Sequence, residues 1–171
     1  MNESTAPIPT PPTPRSPDRG ESIDLDGLSL EAIRAGALAD RAVTVLGLAR
    51  SGLALARFFA AVGARVTVYD RRPATELGPA IDALADRAVA LRLGPEVDPA
   101  TTWAGAALVA TSPSIQPDFP TAEPRLRSAL RDLVRRRAAG DASAPPLVSE
   151  LDLFLRLCPA PTVGVTGTKG K

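Results

Sequence analysis

The sequence contains no histidine and a single cysteine, Cys158, among its 171 residues. Without histidine, these residues provide no imidazole base, no histidine-containing catalytic triad and no histidine-ligated metal. One cysteine excludes an intrachain disulfide framework and is typical of a reducing compartment, so we expect a cytoplasmic protein. No apolar run is long enough to span a bilayer. The 20 basic and 19 acidic residues nearly cancel, which gives no general attraction to nucleic acid or to an anionic membrane.

Lysine is almost absent: both lysines lie within the last three residues, and every other basic residue is arginine. They belong to segment 164–171, with the sequence GVTGTKGK, which overlaps an apolar stretch at 161–165 that we predict to be a short buried strand. A strand that leads into a glycine-rich turn with lysine is typical of a loop that binds ATP or GTP phosphates. The alternative is a surface turn. The five residues between Gly164 and Gly170 distinguish the segment from a generic Walker loop.

Residues 1–24 are rich in proline and include the run PIPTPPTP. Proline cannot continue a helix or a sheet ladder here, and the segment has too little apolar mass to pack. It also lacks the hydrophobic core of a secretory signal. We predict a disordered tail, and a proline-rich docking ligand is the less favoured alternative.

Strand and helix patterns alternate between residues 30 and 157. Short apolar runs predict strands, and amphipathic runs that begin at serine or end at glycine predict helices. The predicted strands are 42–46, 65–69, 89–93, 107–110 and 147–148, and the predicted helices are 30–38, 52–62, 75–87, 123–139 and 150–157. We predict Ser29 and Ser149 as helix N-caps and Gly63 as the glycine after the second helix.

This order predicts an α/β fold with two parts. Residues 25–158 form a Rossmann-like domain with a doubly wound parallel sheet. After a joint marked by Pro159 and Pro161, residues 159–171 form the first strand and phosphate loop of a truncated P-loop ATPase domain. We therefore expect the chain to be the front part of a longer protein, and inactive as an ATPase or ligase alone.

An arginine row occupies one face of the predicted helix 123–139, at Arg127, Arg131 and Arg135. Such a row is compatible with a nucleic-acid patch. The nearly neutral chain and the absence of interleaved aromatic residues favour a solvated helix face instead.

Three turns follow predicted strands and meet at the carboxyl edge of the sheet, where doubly wound folds bind ligands. The first, 47–52, has the sequence GLARSG, and Ala49 replaces the glycine that lets a dinucleotide pyrophosphate approach. This replacement argues against an NAD-dependent oxidoreductase. The helix N-terminus still offers N–H groups to an anion, and Ser51 adds a hydroxyl. A turn used only for packing is the alternative.

The second turn, 70–72, places an acid where such folds often bind a ribose hydroxyl, followed by two arginines that suit a phosphate or a base. Exposed charges on a surface loop explain the sequence of this turn equally well. In the third turn, 111–115, Ser112 presents a hydroxyl to the same crevice, and a plain serine and proline loop is the alternative.

Taken in order, the strings VLGLARSG, YDRR, SPSI, VSELDLF and VTGTKGK resemble the Mur ligases from about residue 42 to residue 171. The first turn and the SELDLF helix start are most similar to the members that add D-glutamate. The resemblance implies a three-domain, monomeric cytoplasmic ligase of peptidoglycan synthesis. ATP with Mg²⁺ activates the carboxylate of UDP-N-acetylmuramoyl-L-alanine as an acyl phosphate, and the amine of D-glutamate then attacks it.

The resemblance also implies roles for individual residues. Arg50 and Ser51 line the diphosphate turn, and Asp70, Arg71 and Arg72 neighbour the uracil or ribose. Ser112 lines the uridine site. The ATP phosphates are bound by Gly167, Thr168, Lys169, Gly170 and Lys171, and Lys171 is the catalytic residue. The family's metal and D-glutamate sites lie beyond Lys171. A Rossmann oxidoreductase and a stand-alone nucleotide-sensing module are the other two hypotheses.

Overall fold

The computed structural model describes residues 22–118 and 123–165. In this part of the chain, helices and strands alternate as the sequence predicts. The elements in chain order are α1 (Leu30–Arg34), β1 (Ala42–Leu46), α2 (Arg50–Ala61), β2 (Arg65–Asp70), α3 (Gly78–Asp82), β3 (Val89–Leu93), β4 (Leu108–Thr111), α4 (Pro124–Ala138), β5 (Leu147–Ser149) and α5 (Glu150–Leu157).

The five strands form one parallel sheet in the order β3-β2-β1-β4-β5. Strand β1 pairs with β2 on one side and with β4 on the other, with Leu46 opposite Tyr69 and opposite Thr111. The chain therefore reverses its direction of winding at β1, and the carboxyl ends of β1 and β4 flank a crevice. This topology confirms the predicted Rossmann-like, doubly wound α/β fold.

The core lies on both faces of the sheet, as the apolar central strands require. Val43, Val45 and Val68 point into the cluster that includes Phe59 of α2. Leu46, Tyr69 and Val109 contact the other cluster, with Trp103 and three buried leucines of α4: Leu126, Leu130 and Leu133. These leucines form the buried face of α4, whereas Val134 is 43% exposed.

Two glycines let α2 begin close to β1. Gly47 has a φ of 86°, and a Cβ on Gly52 would lie 1.8 Å from the Gly47 carbonyl oxygen. Only glycine fits position 52 at that distance. Gly63, with a φ of 82°, follows the end of α2 as predicted.

Several predicted boundaries need correction. Helix α1 ends at Arg34 rather than at 38, because Gly36 takes a φ of 90° and breaks the helical path. Predicted helix 75–87 consists of a 3₁₀ turn at Ala74–Glu76 and the short α3. Pro79 explains the break, because proline fits only the first turn of a helix. A 3₁₀ helix at Pro99–Trp103 was missed.

Both ends of the described region differ from prediction. Ile23 belongs to the core and its N–H donates to the Ala107 carbonyl at 3.0 Å, so packed structure begins inside the predicted tail. At the other end, 161–165 is not a buried strand: Val163 is 90% exposed and Val165 79%. A buried strand needs a neighbour to pair with, and none of the strands in 22–118 and 123–165 pairs with this segment.

Apolar side chains are also exposed on α5, at Leu151, Phe154 and Leu155. Within the described ranges, no helix combines the length and the apolar character needed to cross a membrane.

Candidate functional site

A cavity of about 240 Å³ opens at the carboxyl edge of the sheet, beside the ends of β1, β2 and β4. This is the point at which the winding of the sheet reverses, where doubly wound folds bind their ligands. Its lining residues are Gly47, Tyr69, Asp70, Arg71, Ser114, Ile115, Glu123 and Leu126.

Asp70, the last residue of β2, is buried and accepts hydrogen bonds from two neighbouring residues at this edge of the sheet. One carboxylate oxygen accepts the Leu48 N–H at 2.8 Å and Arg72 Nη2 at 2.8 Å. The other oxygen accepts the Arg72 N–H at 2.9 Å and Arg72 Nε at 3.0 Å. Asp70 therefore ties the turn after β1 to the end of β2 and grips the guanidinium of Arg72 with both oxygens.

These contacts determine the charge at the site. Burial opposes ionisation of Asp70, but the hydrogen bonds from Arg72 and from the Leu48 N–H outweigh it, so the pKa of Asp70 lies below its ordinary value. The hydrogen bond to Asp70 raises the pKa of Arg72 in turn. The side chain of Arg72 is 40% exposed, so the paired cation still faces solvent at the crevice.

Arg71 is exposed and lines the cavity directly. Tyr69, the penultimate residue of β2, is buried. Burial, and then the carboxylate of Glu123, raise the pKa of the Tyr69 phenol. The cavity thus combines an aromatic wall, an arginine and two carboxylates.

The turn before α2 places Arg50 and Ser51 in the first turn of that helix, where backbone N–H groups have no partner within the helix. Arg50 is exposed and Ser51 half-buried. The Gly47 N–H donates to the Tyr69 carbonyl at 2.7 Å, which fixes the turn against β2. Helix termini of this kind attract anions.

The loop after β4 is folded back on itself. Thr111 Oγ1 donates to the Ile115 carbonyl at 2.7 Å, and the Ile115 N–H donates to the Ser112 carbonyl at 3.0 Å. Ser112 is nearly buried and its hydroxyl lies 3.1 Å from that of Ser114. Ser114, rather than Ser112, is the serine that lines the cavity.

The structure thus brings the predicted residues of the three turns to one edge of the sheet. Asp70 and Arg71 line the cavity, Arg72 and Ser112 contact residues that line it, and Arg50 and Ser51 begin the adjacent helix. The predicted phosphate-loop residues Gly167, Thr168, Lys169, Gly170 and Lys171 lie outside the described residues.

Sequence reasoning missed Tyr69, Ser114 and Glu123 as lining residues. A signal for Glu123 was present, because Pro124 at the first position of a helix indicates that the residue before it is the N-cap. Across 22–118 and 123–165, no three histidine, cysteine or carboxylate side chains cluster as metal ligands would. None of these residues is therefore assigned to Mg²⁺.

The strand order and the cavity at its reversal point define a Rossmann-like domain. Residues 41–134 match the family described as "Mur ligase MurD-like, N-terminal domain". The chain belongs to this family.

Three relatives illustrate the similarity, and each is named UDP-N-acetylmuramoylalanine--D-glutamate ligase. The protein of Anaeromyxobacter dehalogenans is 44% identical over 130 residues, which cover 75% of this chain and 24% of the relative. The protein of Geotalea uraniireducens is 36% identical over 134 residues, 78% of this chain and 26% of the relative. That of Roseiflexus sp. is 37% identical over 126 residues, 74% of this chain and 23% of the relative. The chain spans about a quarter of the length of these relatives.

Proposed function

We propose that this chain is the UDP-substrate-binding part of an ATP-dependent ligase that adds D-glutamate to UDP-N-acetylmuramoyl-L-alanine. The observation that carries the proposal is the cavity at the carboxyl edge with its Asp70–Arg72 pair, in a domain of the MurD-like family. The domain boundaries proposed are 25–158 for the UDP-substrate domain and 159–171 for the beginning of the ATP-binding domain.

The geometry suits the two ends of a uridine diphosphate. The cavity is bounded by Tyr69 and Arg71, and a planar base fits against such a ring and guanidinium. The diphosphate then lies toward the start of α2, where Arg50, Ser51 and the backbone N–H groups offer positive charge and donors. We assign the ribose to the space near Arg72 and Ser112.

The reaction itself requires activation of a carboxylate, because an amine does not displace a carboxylate oxygen directly. ATP supplies this activation by transferring its γ-phosphate to the L-alanyl carboxylate, with charge neutralised by Mg²⁺. We propose that Gly167, Thr168, Lys169, Gly170 and Lys171 bind the ATP phosphates, with Lys171 as the catalytic cation. The role of the described residues is to hold the UDP end of the substrate.

Calorimetric titration of UDP and, separately, of NAD⁺ tests the binding proposal. We expect saturable binding of UDP, and we expect Arg72→Ala to weaken it by about 1–3 kcal/mol through loss of a charge-assisted contact. Arg57→Ala, which removes an exposed arginine elsewhere on the surface of α2, is the matched control and should leave UDP affinity unchanged. Saturable NAD⁺ binding with no response to UDP would favour the oxidoreductase hypothesis instead.

A further inference from the structure

A second cavity, of about 270 Å³, lies toward the opposite end of α4 from Glu123. Its wall is formed by the C-terminal half of α4, by the 3₁₀ helix at Pro99–Trp103 with the turn after it, and by segment 143–145. The last two segments lead into β4 and β5, so this cavity lies near the amino edge of the sheet. Arg136, in its wall, is about 20 Å from Glu123 along the helix axis, at a rise of about 1.5 Å per residue.

Trp103 contributes an unused hydrogen-bond donor to this wall. The residue is only 5% exposed, yet its Nε1–H donates to no acceptor among residues 22–118 and 123–165. The Nε1 atom is not fully buried, so it remains within reach of a molecule outside the core. A buried indole N–H usually has a partner. The missing partner therefore indicates a donor that a ligand in the cavity can use.

Arg136 contributes a cation that the protein already holds in one orientation. Its Nε donates to the Asp141 carboxylate at 2.8 Å, and its Nη2 donates to the Ser143 hydroxyl at 3.0 Å. A guanidinium has five N–H donors in a fixed plane, so most of them remain for a ligand in the described structure. The two bonds reduce the side-chain entropy that a ligand would otherwise have to remove.

Asp132 contributes the opposite charge, one helical turn before Arg136 on the same face of α4. Arg135 donates to one oxygen of Asp132, and the other oxygen accepts no hydrogen bond from the described residues. Asp132 and Arg136 thus pair with Arg135 and Asp141 rather than with each other. The cavity presents two unlike charges, side by side, within a nearly neutral group of four.

We propose that this cavity binds a short α-amino acid as its zwitterion. The carboxylate of the ligand accepts hydrogen bonds from Arg136 and from the Trp103 Nε1–H, and its ammonium group donates to the second oxygen of Asp132. Leu133 and Pro145 provide apolar contact for a small side chain. The volume lies below the range of drug-sized pockets, which suits a ligand of few atoms. The site shares no residue with the proposed nucleotide site.

Trp103 is the only tryptophan in the chain, so its fluorescence reports directly on this cavity. Titration with L-alanine, propionate and ethylamine compares a ligand that carries both charges with ligands that carry only the carboxylate or only the ammonium group. We expect a saturable change with alanine and a dissociation constant on the order of millimolar, because the ligand has few atoms. Propionate and ethylamine should each bind about tenfold more weakly, since each lacks one charge-assisted contact.

Two substitutions assign the two charges. Asp132→Asn should weaken alanine about tenfold, to the affinity of propionate, and Arg136→Gln should weaken alanine and propionate by a similar factor. Arg131→Gln is the matched control, because Arg131 lies on the same helix outside the cavity wall, paired with Asp118. It should leave all three affinities unchanged. Thermal unfolding checks each variant, and Asp132→Asn alone carries the test if Arg136→Gln does not fold.

Each contrary result would overturn a stated part of the proposal. No saturable response of wild type to millimolar alanine would remove the site. Equal affinities for alanine and propionate, or alanine binding that survives in Asp132→Asn, would overturn the zwitterion as the ligand. Alanine binding that is unchanged in Arg136→Gln would place the ligand outside this cavity. None of these results depends on whether the protein binds UDP.

Discussion

Among the described glycines, Gly52 is the position at which an added side chain would meet the shortest contact. A Cβ at this position would lie 1.8 Å from the Gly47 carbonyl oxygen, which belongs to backbone and cannot swing away. We expect Gly52→Ala to lower the free energy of unfolding by at least about 3 kcal/mol, since α2 must move off β1. Urea unfolding followed by circular dichroism measures the change.

The control for this substitution is Gly27→Ala. A Cβ at Gly27 meets only the Asp24 side chain, at an ordinary 3.5 Å, so the free energy of unfolding should change by less than about 1 kcal/mol. Equal stability of Gly52→Ala and wild type would mean that α2 does not approach the Gly47 turn as closely as described.

The lowered pKa of Asp70 predicts that the free energy of unfolding depends on pH. Its pKa in the folded protein lies below the ordinary value of 3.8, so the unfolded chain binds its proton first. The stabilisation is therefore fully present above pH 3.8 and is lost as the pH falls through the lower, folded pKa. Asp70→Asn should be less stable than wild type at neutral pH, and the difference should shrink below pH 3.8. A difference that stays constant down to low pH, in thermal melts, would contradict the ion pair.

At the scale of elements, α5 is defined by a reciprocal cap. The Asp152 N–H donates to Ser149 Oγ at 3.1 Å, and the Ser149 N–H donates to the Asp152 carboxylate at 3.0 Å. We expect Ser149→Ala to lower the free energy of unfolding by about 1 kcal/mol and Ser149→Thr to retain most of the stability, because threonine keeps the hydroxyl. Urea titrations compare the three proteins, and equal loss in both variants would point to β5 packing instead.

Local signals explain which elements could be predicted from sequence. β1 and α5 were predicted with the bounds that the structure has. Their signals, a valine-rich run and a serine N-cap, depend only on residues that are adjacent in the sequence. Segment 161–165 has the same kind of short apolar run as β1, yet it is exposed and pairs with none of the described strands. Its strand character depends on a neighbour to pair with, which local sequence does not specify.

At the scale of the whole molecule, the site was only partly predictable. The rule that ligands bind at the carboxyl edge of parallel strands placed Asp70, Arg71 and Ser112 near one another from sequence alone. It could not predict that Arg72 would occupy the acceptor positions of Asp70, nor that Glu123, more than fifty residues further along the chain, would join the cavity. These contacts depend on side-chain geometry across elements distant in sequence.

The hydrogen bond from the Leu48 N–H to Asp70 has a consequence for the thermodynamics of binding. It joins the turn after β1 to the end of β2 before any ligand arrives, so the conformational entropy of that turn is lost when the domain folds rather than when a nucleotide binds. In the proposed UDP complex, the nucleotide would then meet a preorganised surface, and little of its contact energy would go into ordering the chain. The hydrogen bond would thus strengthen association by an amount already supplied during folding.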